Sequence, residues 1–295
     1  MAVFKGAGVA IITPFKENGD VNYEKFAEII EDQISGGTDS IIVCGTTGEA
    51  ACLTEEEHMA VIKFCVEQVN HRVPVVAGTG SNNTRTAIYL SEEAEKVGSD
   101  ALLMVTPYYN KTTQAGLIDH FTEVAKRVSI PIILYSIKSR TGLNIEPETV
   151  KTLVENVPNI VGVKEASGSL SQISKIRAIC PEADIYSGDD DLTVPILSLG
   201  GLGVISVLSN VAPRYVHDMC YKFFNGDAMG AADMQIKAND ILDALFCETN
   251  PIPVKHAMNL MGMEVGPLRK PLVPMDPKNL ERLRKSMINF GLLKA

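Results

Sequence analysis

Short apolar runs rich in Val, Ile and Leu recur along most of the chain, each followed by a stretch of mixed polarity. They lie at residues 9–13, 41–45, 75–78, 101–105, 130–135, 160–167, 184–188 and 203–207. Runs this short, apolar on both alternating faces, read as strands buried in a parallel sheet. The intervening stretches read as helices. Thr54-Glu55-Glu56-Glu57 has the pattern of a capping box and opens a helix to about Asn70. Residues 23–36, 84–97, 113–128 and 147–155 show helical periodicity.

Eight such β/α units predict an α/β fold of the TIM (β/α)8 barrel type. A doubly wound sheet is the alternative, and it asks for a phosphate-binding fingerprint after its first strand. Gly78-Thr79-Gly80-Ser81-Asn82-Asn83 matches that fingerprint poorly. From residue 226 the strand rhythm stops. Residues 228–246, 254–261 and 277–290 read as helices, with the joint Asn250-Pro251-Ile252-Pro253 among them. The division expected is a barrel over residues 1–225 and a helical C-terminal extension over 226–295, packed on the barrel or used in assembly.

Composition narrows the function classes. The 295 residues are 45% hydrophobic and 21% charged, the balance of a globular protein with a sizeable core. A formal net charge of −9 without a basic run argues against nucleic acid and anionic membrane surfaces as partners. Residues 192–213 carry no charge, but Pro195 and Gly200-Gly201-Leu202-Gly203 break the stretch, so a helix, a turn and a strand fit it better than a membrane span. The first residues lack the basic region and small-residue cleavage site of a signal peptide, and a cytoplasmic location is expected. The 6 cysteines form no C-x-x-C pair and the 5 histidines no H-x-x-x-H pair, so free thiols are expected and nothing in the spacing asks for a metal site.

The residues that carry chemistry centre on Ile160-Val161-Gly162-Val163-Lys164-Glu165-Ala166-Ser167. Alternation along a strand puts Ile160, Gly162, Lys164 and Ala166 on one face, so Lys164 stands beside small residues with room against it. Burial disfavours an ammonium, lowers its pKa and makes the amine a nucleophile toward a carbonyl. A lysine at a strand end can equally snorkel to water, and the run alone leaves both readings open.

In a barrel, active residues come from the C-terminal ends of strands and the loops after them. Gly45-Thr46-Thr47-Gly48-Glu49 offers hydroxyls and amides suited to a carboxylate, or simply makes a tight turn. Thr106-Pro107-Tyr108-Tyr109-Asn110 and Tyr135 supply phenols, which pack in most proteins but can exchange protons beside a Schiff-base lysine. Arg140, in Ser139-Arg140-Thr141-Gly142, could clamp a carboxylate or pair with a surface acid. Asp189, Asp190 and Asp191, after Gly188, are expected to cap the following helix and face water rather than bind metal. The last two loops lack a glycine-rich phosphate cup.

Taken together, these motifs in this order closely resemble the dihydrodipicolinate synthase/N-acetylneuraminate lyase family, nearly from end to end. The resemblance implies that Lys164 forms a Schiff base with pyruvate and that the resulting enamine adds to L-aspartate 4-semialdehyde, in lysine and diaminopimelate biosynthesis. It implies proton transfer by Tyr135, linked through Thr46 to Tyr109 of a neighbouring subunit. It places Thr46 and Thr47 on the pyruvate carboxylate, Arg140 on the semialdehyde carboxylate, and backbone at Gly188 and Ile205 along the pocket. It implies no metal or organic cofactor, Tyr108 in a subunit interface, and a homo-oligomer, typically a dimer of dimers.

Two departures stand out. Where the family usually has Asn-Val-Pro before Ser-Arg-Thr-Gly, this chain has Ser136-Ile137-Lys138, which restores an N–H and adds a cation near Arg140. That bears on recognition of the second substrate. Members inhibited by lysine resemble one another in carrying His and Glu at the positions of Glu55 and Thr86, so weak or absent lysine feedback is expected. Other readings are an aldolase or lyase of the same family acting on a sugar acid, and a barrel that binds without catalysis.

Overall fold

The computed structural model describes residues 2–294. Eight strands, β1 (Gly6–Ala10), β2 (Ser40–Val43), β3 (Val75–Gly78), β4 (Ala101–Val105), β5 (Ile132–Ser136), β6 (Ile160–Glu165), β7 (Asp184–Ser187) and β8 (Gly203–Ser206), close into one barrel in chain order. All pairings are parallel, and β1 closes the ring on β8 through Gly6 opposite Gly203 and Val9 opposite Ser206. The α/β TIM-barrel expectation is met, and the doubly wound alternative is set aside by the closure. Helices follow the strands around the outside, so apolar residues divide between two cores. Ala10, Ile42, Val76, Leu103, Ile133, Tyr135, Tyr186 and Ile205 fill the barrel, while a larger cluster lies between strands and helices. The floor is closed by Phe4 stacked on Tyr186, whose hydroxyl donates to the Phe4 carbonyl at 2.8 Å.

Local signals were mostly legible. Thr54 and Glu57 form the reciprocal capping box, and the helix runs Glu55–Val69. The uncharged stretch resolves into the helix Thr193–Ser198, a glycine turn and β8.

Three features differ from expectation. The first strand is Gly6–Ala10 rather than residues 9–13. Ile12 leaves the ladder because its N–H is taken by the Asn210 side chain, and Phe15 bonds instead to the Val265 carbonyl. The stretch 228–246 is two helices, Ala228–Lys237 and Asn239–Leu245. Gln235 is held by the Asp190 carbonyl and the Val194 N–H, while the second helix turns away to pack on Pro277–Phe290.

The third difference concerns the lysine strand. Its register to β5 shifts between Ile132 and Ile133, so that Ile132 faces Ile160 but Ile133 faces Gly162. The extra residue is a bulge. Ile160 therefore packs in the strand–helix core and Val161 against the barrel interior, and Ile160 does not share the face of Lys164. Nor does Gly162 leave open room. A Cβ there would sit 2.0 Å from the Asp184 carbonyl oxygen, so this glycine lets β7 approach.

Candidate active site

Strand pairing sets Lys164 between Tyr135 of β5 and Tyr186 of β7. All three side chains are buried. The Lys164 amine lies 4.3 Å from the centre of the Tyr135 ring. Among the described residues it has no hydrogen bond and no ion pair, so its loss of water is only partly offset. Burial pulls its pKa down to about 8 against the upward pull of Asp189 and Asp190, and Arg140 adds to the depression. The sequence left snorkelling open, and the structure settles that point: the amine is inside.

The space beside it comes from a glycine in another loop. At Gly188 a Cβ would stand 2.6 Å from the Ala166 Cβ and 3.1 Å from Lys164 Cε, and its N–H donates to the Glu165 carbonyl at 2.8 Å. Ile205 of β8 is buried in the barrel interior.

Burial also drives the Tyr135 phenol well above its ordinary pKa, opposed by Arg140 and by interaction with the Thr46 hydroxyl. The turn Gly45-Thr46-Thr47-Gly48 closes through the Gly48 N–H to the Gly45 carbonyl at 3.1 Å. The amides of Thr46 and Thr47 donate to no group among the described residues, which leaves them available to an anion. Thr47 is buried, and its hydroxyl oxygen accepts from Asn250 Nδ2 at 2.9 Å. Arg140 is exposed on the short helix Lys138–Thr141 and donates to the Asn250 carbonyl at 3.0 Å. That bond replaces the surface acid pairing the sequence allowed for.

Lys138 is the first residue of that helix, where a proline is tolerated because the N–H has no partner within the helix. Losing the proline thus leaves the turn intact. Ser136 buries its hydroxyl, which accepts from the Ile145 N–H at 3.1 Å. Tyr109 is 93% exposed with φ of 67°, and Tyr108 is 37% exposed; the aromatic ring over which the Lys164 amine lies is that of Tyr135.

The aspartates correct the sequence reading. Asp190 is buried and accepts from the Val207 and Leu208 N–H groups at 2.8 and 3.2 Å, pinning the loop after β8. Asp189 is half-buried, and burial with the neighbouring Asp191 lifts its carboxyl to about 6. Neither caps a helix through its side chain, and Asp191 alone faces water.

Sequence reasoning missed the residues beneath the threonine turn. Glu49, at φ 53°, is buried and accepts from Lys255 Nζ at 2.8 Å and from the Arg269 N–H at 2.9 Å. Lys255 also donates to the Thr13 and Pro267 carbonyls at 3.2 and 2.6 Å. Two charged residues inside apolar surroundings were a visible signal, but their partnership spans 206 positions of sequence. Among the described residues no group of three or more His, Cys, Asp or Glu is placed to hold a metal, all six cysteines are free, and no helix is long and apolar enough to cross a membrane.

A closed (β/α)8 barrel with an unpaired, desolvated lysine at the C-terminal part of β6, beside a phenol that in turn meets an open-amide turn through Thr46, is built as a lyase of the Schiff-base, class I aldolase type. The chain belongs to the dihydrodipicolinate synthetase family, whose model matches residues 3–289. It is 58% identical over 294 residues to 4-hydroxy-tetrahydrodipicolinate synthase of Lachnoclostridium phytofermentans, covering 99% of this chain and 100% of that one. The crystal structure of dihydrodipicolinate synthase from Aquifex aeolicus is 45% identical and covers 99% of this chain and 100% of its own, with a TM-score of 0.96. A monomeric dihydrodipicolinate synthase variant, 40% identical, covers 99% and 98% with a TM-score of 0.96.

Proposed function

We propose that Lys164 is the Schiff-base residue of a 4-hydroxy-tetrahydrodipicolinate synthase reaction, condensing pyruvate with L-aspartate 4-semialdehyde. The single observation that carries the assignment is the buried, unpaired amine with its pKa near 8. About one such amine in ten is free at pH 7, against about one in three thousand for an ordinary lysine. It attacks the keto carbon of pyruvate, and water leaves to give an iminium. Loss of a methyl proton then gives an enamine, which adds to the semialdehyde carbon. The substrate's own amine displaces Lys164 and the cyclic product departs.

Tyr135 carries protons between these steps, coupled to Thr46. The Thr46 and Thr47 turn binds the pyruvate carboxylate, and Arg140 at the mouth receives the carboxylate of the semialdehyde. Gly188 and Ile205 line the keto acid. The covalent iminium supplies the electron sink, so the chemistry proceeds with neither metal nor organic cofactor. The exposed Tyr109 reaches the Tyr135–Thr46 pair of a second copy in a dimer of dimers, with Tyr108 in the same interface. Six free thiols suit a cytoplasmic biosynthetic enzyme. A coupled assay tests the reaction: turnover with pyruvate and semialdehyde and none with sialic acid is expected, and the reverse preference contradicts it.

A further inference from the structure

Asn250 lies in the extension beyond the barrel, yet its side chain and its backbone each hold a group at the barrel mouth. Its amide nitrogen donates to the Thr47 hydroxyl oxygen at 2.9 Å, and its carbonyl accepts from the Arg140 guanidinium at 3.0 Å. The residue is only 6% exposed, and its amide oxygen is buried without a partner among the described residues. That unpaired oxygen carries a cost, because a buried, unsatisfied acceptor is destabilising.

The direction of the bond to Thr47 matters. A hydroxyl has one proton to give and lone pairs to receive with. Asn250 occupies a lone pair, and the Thr47 proton goes to no acceptor among the described residues. The hydroxyl is thus left as a donor facing a ligand that can only accept, which is what a carboxylate is. We infer that Asn250 is a positioning residue for the keto acid, fixing Thr47 as a hydrogen-bond donor to the substrate carboxylate, while its carbonyl steers Arg140 for the second substrate. The inference rests on the reading that Thr47 meets the pyruvate carboxylate.

The two functions separate under mutation, because substitution at Asn250 removes the amide and keeps the carbonyl. Asn250→Asp places an acceptor against Thr47, consumes its proton and adds a like charge. Asn250→Ala removes the donor without adding charge and is carried in parallel. The pyruvate concentration for half-maximal borohydride trapping, and KM for each substrate, are measured for both, for Thr47→Val, and for Thr47→Val combined with Asn250→Asp.

Asn250→Asp is expected to raise the pyruvate values about tenfold or more, the range of hydrogen bonds to charged groups, and Asn250→Ala to raise them less. KM for the semialdehyde should move little in either. The double variant should be no weaker toward pyruvate than the weaker of its two parents, because both changes act on one hydroxyl. Should Thr47→Val weaken pyruvate while both Asn250 variants stay within about twofold of the parent protein, the positioning role is overturned and the functional reading stands. Losses that multiply in the double variant, or that fall equally on both substrates, also overturn it. Absence of trapping in the unmutated protein overturns both.

Discussion

Replacing Lys164 by methionine should stabilise the protein at neutral pH, and the gain should fade as pH rises. Methionine keeps an unbranched apolar stem of similar length in the same slot. The magnitude follows from the amine. Its folded pKa is about 8 and the ordinary value 10.5, so burial weakens proton binding in the folded state. Below about pH 8 both states are protonated and the full penalty operates, about 3 kcal/mol at 1.36 kcal/mol per pKa unit. Between about 8 and 10.5 the unfolded chain binds more protons than the folded one, so the wild type gains stability with pH relative to the variant. At pH 9 the penalty falls to about 2 kcal/mol, and above 10.5 it is gone. Urea unfolding of both proteins at one protomer concentration, from pH 6 to pH 9, measures the difference. An advantage for methionine of a few kcal/mol that shrinks by about 1 kcal/mol over that range is expected. A difference that does not change with pH would refute the reasoning, since an amine exposed to water titrates alike in both states.

Tyr135→Phe should leave the fold intact and lower kcat by about a hundredfold or more, the usual contribution of a positioned proton donor; steady-state kinetics showing less than a threefold loss would remove Tyr135 from the proton path. Lys255→Met strands the buried Glu49 carboxylate beneath the threonine turn, and should cost about 3–5 kcal/mol in urea unfolding; a cost below about 1 kcal/mol would mean that the pair is not holding that turn. With Glu55 and Thr86 where inhibited relatives carry His and Glu, activity should persist at millimolar lysine, and an inhibition curve with clear loss would contradict this.

The barrel was legible because its signal is local. Val75–Gly78 and Ala101–Val105 are strands with the bounds their apolar runs predict, since each run is bordered by helix formers and turn residues. The errors arise where a distant group decides. Ile12 looks like strand, but Asn210 takes the N–H that a ladder would use. The alternation rule failed at Ile160 because one bulged residue reverses every face before it.

The site divides the same way. Lys164 stood out because a charge inside an apolar run is anomalous in one dimension, and strand pairing made Tyr135 its neighbour. Glu49, Lys255 and Asn250 act across two hundred residues, and no spacing rule joins the extension to the loop after β2. Asp190 reads as a helix cap in sequence, yet it ties down Val207 and Leu208 in the neighbouring loop after β8.

The most direct test is to incubate the protein with pyruvate, reduce with borohydride, digest, and map the added mass. The account predicts one carboxyethyl adduct per chain, the reduced secondary amine, on the peptide containing Lys164, and none in Lys164→Met. An adduct on another lysine, or an unmodified Lys164 at saturating pyruvate, would contradict it.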